Sequence, residues 1–299
     1  MIEVSEVTKS FDGLNALDCV NAKISEGSIY GLIGSNGSGK STLLRVLCGV
    51  YKPEHGSVLI DGENVWENTE AKAKLFYISD DQFFVPNTTI RKTADFLKSV
   101  YPSFDEERYQ KLLSIFKLDD KRRISTFSKG MKKQACIILG MACRPKYLLC
   151  DETFDGLDPV MRQLTKKLFA ESVADGSMTP IIASHNLREL EDICDHVGLL
   201  HKGGIMFEKD VDDLKLGSYK VQCIFEEELD INSFKELNII SFSKRGSLYT
   251  LIAKGKKEEI EEKLTAMLPK FIEVLPMTLE EIFTCEMEEH GYEFTESLI

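Results

Sequence analysis

Apolar stretches of strand length alternate with stretches of helical periodicity from the first residues to about position 210, the pattern that βαβ units and a parallel sheet impose on a chain. Residues 28–34 (Ser-Ile-Tyr-Gly-Leu-Ile-Gly) predict a strand entering a glycine-rich turn, and residues 41–48 predict the helix that follows, closed by Gly49. Residues 147–150 predict a buried strand that ends in two acids, Asp151 and Glu152. Between these segments, residues 91–143 are helical in pattern: Phe96, Leu97 and Val100, then Leu112, Leu113 and Phe116, recur at helical spacing and predict a helical insertion. Past residues 214–217 the pattern becomes that of short strands, 219–225, 239–242 and 248–253, with Gly246 and Ser247 turning between the last two. A charged helix over 256–267, a strand over 271–275 and a capping box at Thr278 and Glu281 complete a small α+β unit. The box opens a final helix with Leu279, Ile282 and Phe283 on one face.

Length and charge narrow the picture. The 299 residues divide into a main domain, 1–213, and a smaller acidic one, 218–299. No run approaches the roughly 18 apolar residues of a membrane-crossing helix, and the amino-terminal residues lack a basic start followed by an apolar run, so the cytoplasm is the expected compartment. Net charge is −12, and residues 255–299 alone hold four Lys against twelve Asp and Glu. That balance argues against a nucleic-acid partner held by phosphate contacts. Eight scattered cysteines without metal-ligand spacing read as reduced core thiols.

The chemistry begins at Gly34-Ser35-Asn36-Gly37-Ser38-Gly39-Lys40-Ser41, which fits G-x-x-x-x-G-K-[ST] after a strand and before a helix. In such a loop, successive N–H groups turn inward on an anionic phosphate at the positive end of the helix. The run from Gly34 to Thr42 is therefore the expected nucleotide cradle, with Lys40 reaching the β- and γ-phosphates and Ser41 ligating Mg²⁺. Asp151 and Glu152 at the carboxyl end of a strand stand where open α/β folds bind ligands. Asp151 is the expected Mg²⁺ holder and Glu152 the expected polariser of the attacking water.

A third motif makes the pattern specific. Phe127-Ser128-Lys129-Gly130-Met131 stands before a helix about twenty residues ahead of the acidic pair, and with the phosphate loop it resembles the signature of the ATP-binding subunits of ATP-binding cassette (ABC) transporters, in an exporter form with a carboxyl-terminal extension. It keeps Ser128 and Gly130 but departs from the commonest form, Leu-Ser-Gly-Gly-Gln, at three of five positions. The resemblance covers about residues 1–210. It implies an α/β fold: a P-loop NTPase (RecA-like) core with an N-terminal antiparallel β-subdomain and a helical subdomain at about 86–145, followed here by the small α+β C-terminal domain. It also implies Asp158 at a dimer contact, His185 at the γ-phosphate and Phe11 stacked on adenine, while Thr153 stands where proline is usual. A glutamine of the loop after Ile78 would sense Mg²⁺; counting from Thr89 and Ile90 the matching position is nearer Asp80, with Gln82 two residues on, so Asp80, Asp81 and Gln82 all stay in view, Gln82 as the candidate metal residue.

The mechanism implied is that of paired cassettes. Two copies, or this chain and a related subunit, face each other head to tail, each ATP lying between the phosphate loop of one and Ser128 and Gly130 of the other. Glu152 orients water, with Lys40 and His185 as the other catalytic residues, and the motion is passed to a separate transmembrane permease subunit near residues 78–86. The expected function is ATP binding and hydrolysis powering an exporter, at the inner face of the cell membrane. The competing readings are a soluble ABC-type ATPase of regulation or translation, and a kinase or GTPase. The first commonly carries two cassettes, a coiled coil or basic segments, none of which occurs here; the signature motif speaks against the second.

Overall fold

The computed structural model describes residues 1–289, with side chains through Cys285. The last ten residues of the expected accessory domain, 290–299, lie outside the described residues. The chain divides into two compact units, Met1–Lys209 and Asp210–Ile299.

The first unit opens with a long hairpin, β1 (Ile2–Phe11) and β2 (Leu14–Ile24), turned by Asp12 and Gly13. Then β3 (Tyr30–Ile33), buried along its whole length, runs into the glycine loop and α1 (Lys40–Leu47). The chain returns to the hairpin as β4 (His55–Ile60) and β5 (Glu63–Asn64), giving an antiparallel sheet of order β2-β1-β4-β5. After α2 (Thr69–Ala73) and β6 (Leu75–Ile78) come three helices, α3 (Ile90–Val100), α4 (Glu106–Phe116) and α5 (Lys129–Ala142). The core resumes with β7 (Tyr147–Asp151), α6 (Pro159–Ala174), β8 (Thr179–Ser184), α7 (Leu187–Glu191), β9 (His196–His201) and β10 (Gly204–Asp210).

The central sheet has the order β10-β9-β3-β8-β7-β6 and is parallel at every junction from β9 to β6. Its strands are apolar on both faces because helices cover both, as parallel sheets require. Leu43, Leu44, Val46 and Leu47 of α1 are buried between the two sheets, against Val4, Val58 and Ile60 on one side and Leu149 and Ile181 on the other. The helix that follows the glycine loop is therefore clamped along its length. Asp105 caps α4 by accepting from Arg108 N at 2.8 Å, and Thr89 caps α3 by accepting from Lys92 N at 3.2 Å.

The second unit begins with α8 (Val211–Lys215), followed by β11 (Ser218–Ile224), β12 (Asn238–Arg245), β13 (Leu248–Lys254), α9 (Lys257–Ala266), β14 (Phe271–Pro276) and α10 (Leu279–Glu289). Its antiparallel sheet has the order β12-β13-β11-β14, a split βαβ arrangement in which a 3₁₀ turn, Ile231–Phe234, replaces the first helix. Val221, Cys223, Tyr249, Leu251 and Ala253 alternate onto one face and pack with Ile260 and Leu264 of α9. The expected capping box forms: Glu281 N donates to Thr278 Oγ1 at 3.3 Å and Thr278 N to Glu281 Oε2 at 3.0 Å.

The division between units falls after Lys209 rather than near 213, because α8 packs on α10. All eight cysteines are free thiols; Cys19 on β2 is exposed, whereas burial pushes Cys48, Cys136, Cys143 and Cys150 up to about 12.

Candidate active site

The glycine loop leaves the carboxyl end of β3 and is pinned from its own chain. Ser38 N donates to Ser35 O at 3.1 Å, and Ser38 O accepts from Gly203 N at 3.0 Å. Gly39 caps α1 in the left-handed region, φ 111°, and a Cβ there would stand 2.4 Å from Ala16 O, so only glycine fits. Ser35, Asn36 and Gly37 are exposed at the rim, Ser41 and Thr42 are half-buried in the first turn of α1, and no side chain caps that helix. Its amino end is thus available to an anion. Lys40 is 6% exposed; its Nζ donates to Gly34 O at 2.7 Å and Ser35 O at 3.2 Å and lies 3.5 Å from Glu152 Oε1.

Asp151 ends β7, two strands from β3. Its Oδ2 accepts from the Tyr77 hydroxyl of β6 at 2.9 Å, while its Oδ1 is buried without a partner. Burial pushes this carboxyl up, the nearby Ser41 hydroxyl and the Tyr77 hydrogen bond pull it back, and the charges of Glu152 and Asp80 push it up again. Burial and the neighbouring Asp151 charge raise the Tyr77 phenol as well. A buried, unsatisfied carboxylate oxygen beside a hydroxyl, among like charges, is short of a cation, and Mg²⁺ fits that donor set.

Glu152 has φ 45°, unusual for a side-chain-bearing residue. Its N donates to Ala183 O of β8 at 2.9 Å, and its carbonyl accepts from the Lys133 ammonium. Its Oε2 lies 3.0 Å from His185 Nδ1, just past the end of β8. One carboxylate therefore bridges Lys40 and His185, and the potential ligand atoms of Glu152, Asp155 and His185 all lie within 4.8 Å of one another. Parallel strands β3 and β7, with β8 between them, bring together at one sheet edge what 118 positions separate between Gly34 and Glu152.

The remaining expected residues lie elsewhere on the first unit. Ser128 is exposed and caps α5, accepting from Met131 N at 3.2 Å. Gly130 lets α5 approach the turn after Glu152, since a Cβ there would stand 2.6 Å from Gly156 O. Asp158 caps α6, accepting from Val160 N and Met161 N at 3.0 Å each. Phe11 ends β1, 40% exposed and edge-on to Tyr51 at 5.2 Å. Gln82 turns its amide back on its own loop, donating to the carbonyls of Ser79 and Asp80. The residue of that loop whose charge acts on Asp151 is Asp80, and its carboxylate lies 3.2 Å from Lys133 Nζ. Lys133 was not among the expected residues. Its signal is a charge on the stripe formed with Ile137 and Gly140, the buried face of α5.

Residues 17–155 match the family model described as ABC transporter. The chain is 31% identical over 283 residues to the ABC transporter ATP-binding protein YtrB of Bacillus subtilis (strain 168), covering 95% of this chain and 97% of YtrB. It is also 31% identical to the bacitracin transport ATP-binding protein BcrA of Bacillus licheniformis, over 72% of this chain and 71% of BcrA. Among solved structures, an ATP-binding subunit of an ABC transporter superposes with a TM-score of 0.65 at 27% identity, over 72% of this chain and 92% of that one. A dimeric ATP-binding cassette in a post-hydrolysis state with ADP and Pi shares the fold, with a TM-score of 0.64 at 22% identity, over 71% of this chain and 99% of that one. The chain belongs to the ABC transporter family, as an ATP-binding subunit and an ATPase.

Proposed function

We propose that this chain is the ATP-hydrolysing engine of a membrane exporter, acting as a head-to-tail pair of cassettes on a transmembrane permease subunit at the inner face of the membrane. The observation that carries the reading is the single carboxylate of Glu152 held between the phosphate-loop Lys40, at 3.5 Å, and His185, at 3.0 Å. In that setting the loop amides and Lys40 bind the β- and γ-phosphates, and Glu152 takes the proton of a water as its oxygen bonds to the γ-phosphorus. The bond to the bridging oxygen breaks, releasing ADP and phosphate. Mg²⁺, held by Ser41 and Asp151, would neutralise phosphate charge. His185 holds the carboxylate in its attacking orientation. The exposed Ser128 and the amino end of α5 supply donors to the γ-phosphate of the partner's nucleotide, with Gly130 allowing the close approach. Asp158 stands at the pair's contact and Phe11 at the adenine.

Support for pairing comes from the structurally similar dimeric cassette, and support for transport from relatives whose names assign them to bacitracin and lantibiotic transport. Those relatives favour the transporter over a regulatory or translational ATPase. A groove of about 460 Å³ between the loop after β6 and helices α3 and α5 supports a docking place for the permease, with Phe83 85% and Phe96 65% exposed at its edge. Among the described residues no helix is long and apolar enough to cross a membrane.

The test is ATP turnover by the purified chain and by Glu152→Gln, with copurification of membrane proteins from the native cell. The expected result is a loss of kcat of at least ~10²-fold in the variant, which binds ATP and accumulates as a dimer, and a multi-span protein recovered in stoichiometric amount. Hydrolysis by Glu152→Gln at the parent rate would remove the base, and recovery with soluble regulatory or ribosomal proteins alone would remove the transporter.

A further inference from the structure

Lys133 lies at a junction of three segments distant in sequence. It sits five residues past the Ser128 cap on α5, and its side chain is fully buried, 0% exposed. An ammonium in that position is tolerated only with oxygens around it. It has two: the Asp80 carboxylate, 3.2 Å away, and the backbone carbonyl of Glu152. The second contact falls on the peptide whose amino side holds the left-handed φ of 45°. The carbonyl points at Lys133 while the side chain of the same residue reaches Lys40 and His185. The orientation of that peptide therefore sets where the carboxylate stands. Asp80, 48% exposed, belongs to the loop that also lines the apolar groove through Ser79, Gln82 and Phe83.

We propose that Lys133 is a positioning residue for hydrolysis: its ammonium, anchored by Asp80, fixes the Glu152 peptide in the conformation that aims the carboxylate. The proposal rests on the reading of Glu152 as the base. It makes Asp80 and Lys133 a unit, so that either one without the other loses most of the effect. The path runs from the groove loop through Asp80 and Lys133 to the backbone of Glu152, separate from contacts made through the phosphates.

The experiment measures kcat, KM and nucleotide affinity for the full chain, Lys133→Met, Lys133→Gln, Asp80→Asn, the double variant of Asp80→Asn with Lys133→Met, and Glu152→Gln. Affinity is read with a fluorescent ATP analogue and folding by circular dichroism. Lys133→Met is expected to lower kcat by about tenfold or more, as a misaimed catalytic group does, with affinity changed by less than about threefold. Lys133→Gln, which can still donate to the Glu152 carbonyl, is expected to keep more activity than Lys133→Met. The double variant is expected to be no slower than Lys133→Met alone, because coupled residues are non-additive. Should Lys133→Met fail to fold, Asp80→Asn on its half-exposed loop and Lys133→Gln decide, through a fall in kcat at constant affinity.

A parent-level kcat in folded Lys133→Met, or in both substitutes, overturns the proposal. Losses that multiply in the double variant overturn the unit, and place Asp80 at the metal instead. If the parent hydrolyses ATP and Glu152→Gln does so equally, the base itself is wrong and the proposal falls with it. If Glu152→Gln is dead and Lys133→Met is fast, only the positioning role fails.

Discussion

Lys40 is buried with three oxygens around it, two carbonyls of its own loop and the Glu152 carboxylate. Lys40→Ala removes the charge-assisted bonding that this ammonium offers a phosphate, worth on the order of 2 to 3 kcal/mol in all. ATP affinity by calorimetry is expected to fall by about 30- to 150-fold, and an unchanged Kd would contradict the phosphate-loop role. At this scale the sequence was most readable where residue type and chemistry coincide. A lysine after glycines and an acidic pair after an apolar strand announce themselves. Lys133 did not, because its partners lie 53 and 19 positions away and only folding reveals them. Spacing left Asp80, Asp81 and Gln82 open for a related reason: which side chain of a turn faces a site is decided by folding, which turns the Gln82 Nε2 onto the carbonyls of Ser79 and Asp80.

At the scale of elements, Glu106 at the start of α4 fastens the helical insertion. It accepts from Arg91 of α3 at 2.9 Å and from Gln110 at 2.8 Å, and it pairs with Lys98. Burial acts to raise its carboxyl, but hydrogen bonds from Lys98, Gln110 and Arg91 outweigh it and hold the group at about 2. A carboxylate lowered by folding contributes its stabilisation above the ordinary value near 4.5 and loses it as pH falls toward 2. The side chain is 44% exposed, so screening limits the contribution to about 1 kcal/mol or less. Glu106→Gln is expected to lower the urea midpoint slightly at pH 7, with the difference closing between pH 4.5 and 2; a gap constant with pH would rule the ion pairs out. Periodicity read α4 well because Leu112, Leu113 and Phe116 form its buried stripe. It misread the packing of α3, where Phe96 is 65% and Val100 49% exposed and the buried residues are Ile90 and Ala94. It shortened β12 to 239–242, since its far end, Lys244 and Arg245, is exposed and paired only across the hairpin. It passed over α8, whose five residues are too few to show a period.

The whole molecule has one phosphate loop and one exposed Ser128 in its 299 residues, and its proposed catalysis needs both from opposing chains. The rate per chain is therefore expected to rise with protein concentration and then level off, and Glu152→Gln with ATP is expected to sediment at twice the monomer mass. Full specific activity from a monomer at high dilution would end the paired scheme. The division into units was visible as a change of period, and its place was not, because α8 declares its side only by packing on α10.

Cys19 offers a way to watch that pairing. It is the one exposed thiol of eight, on the outer hairpin, while burial keeps Cys48, Cys136, Cys143 and Cys150 protonated at neutral pH. A maleimide dye should attach once per chain without any substitution, so donor- and acceptor-labelled copies of the unaltered protein can report, by energy transfer in real time, when two cassettes meet and when they part.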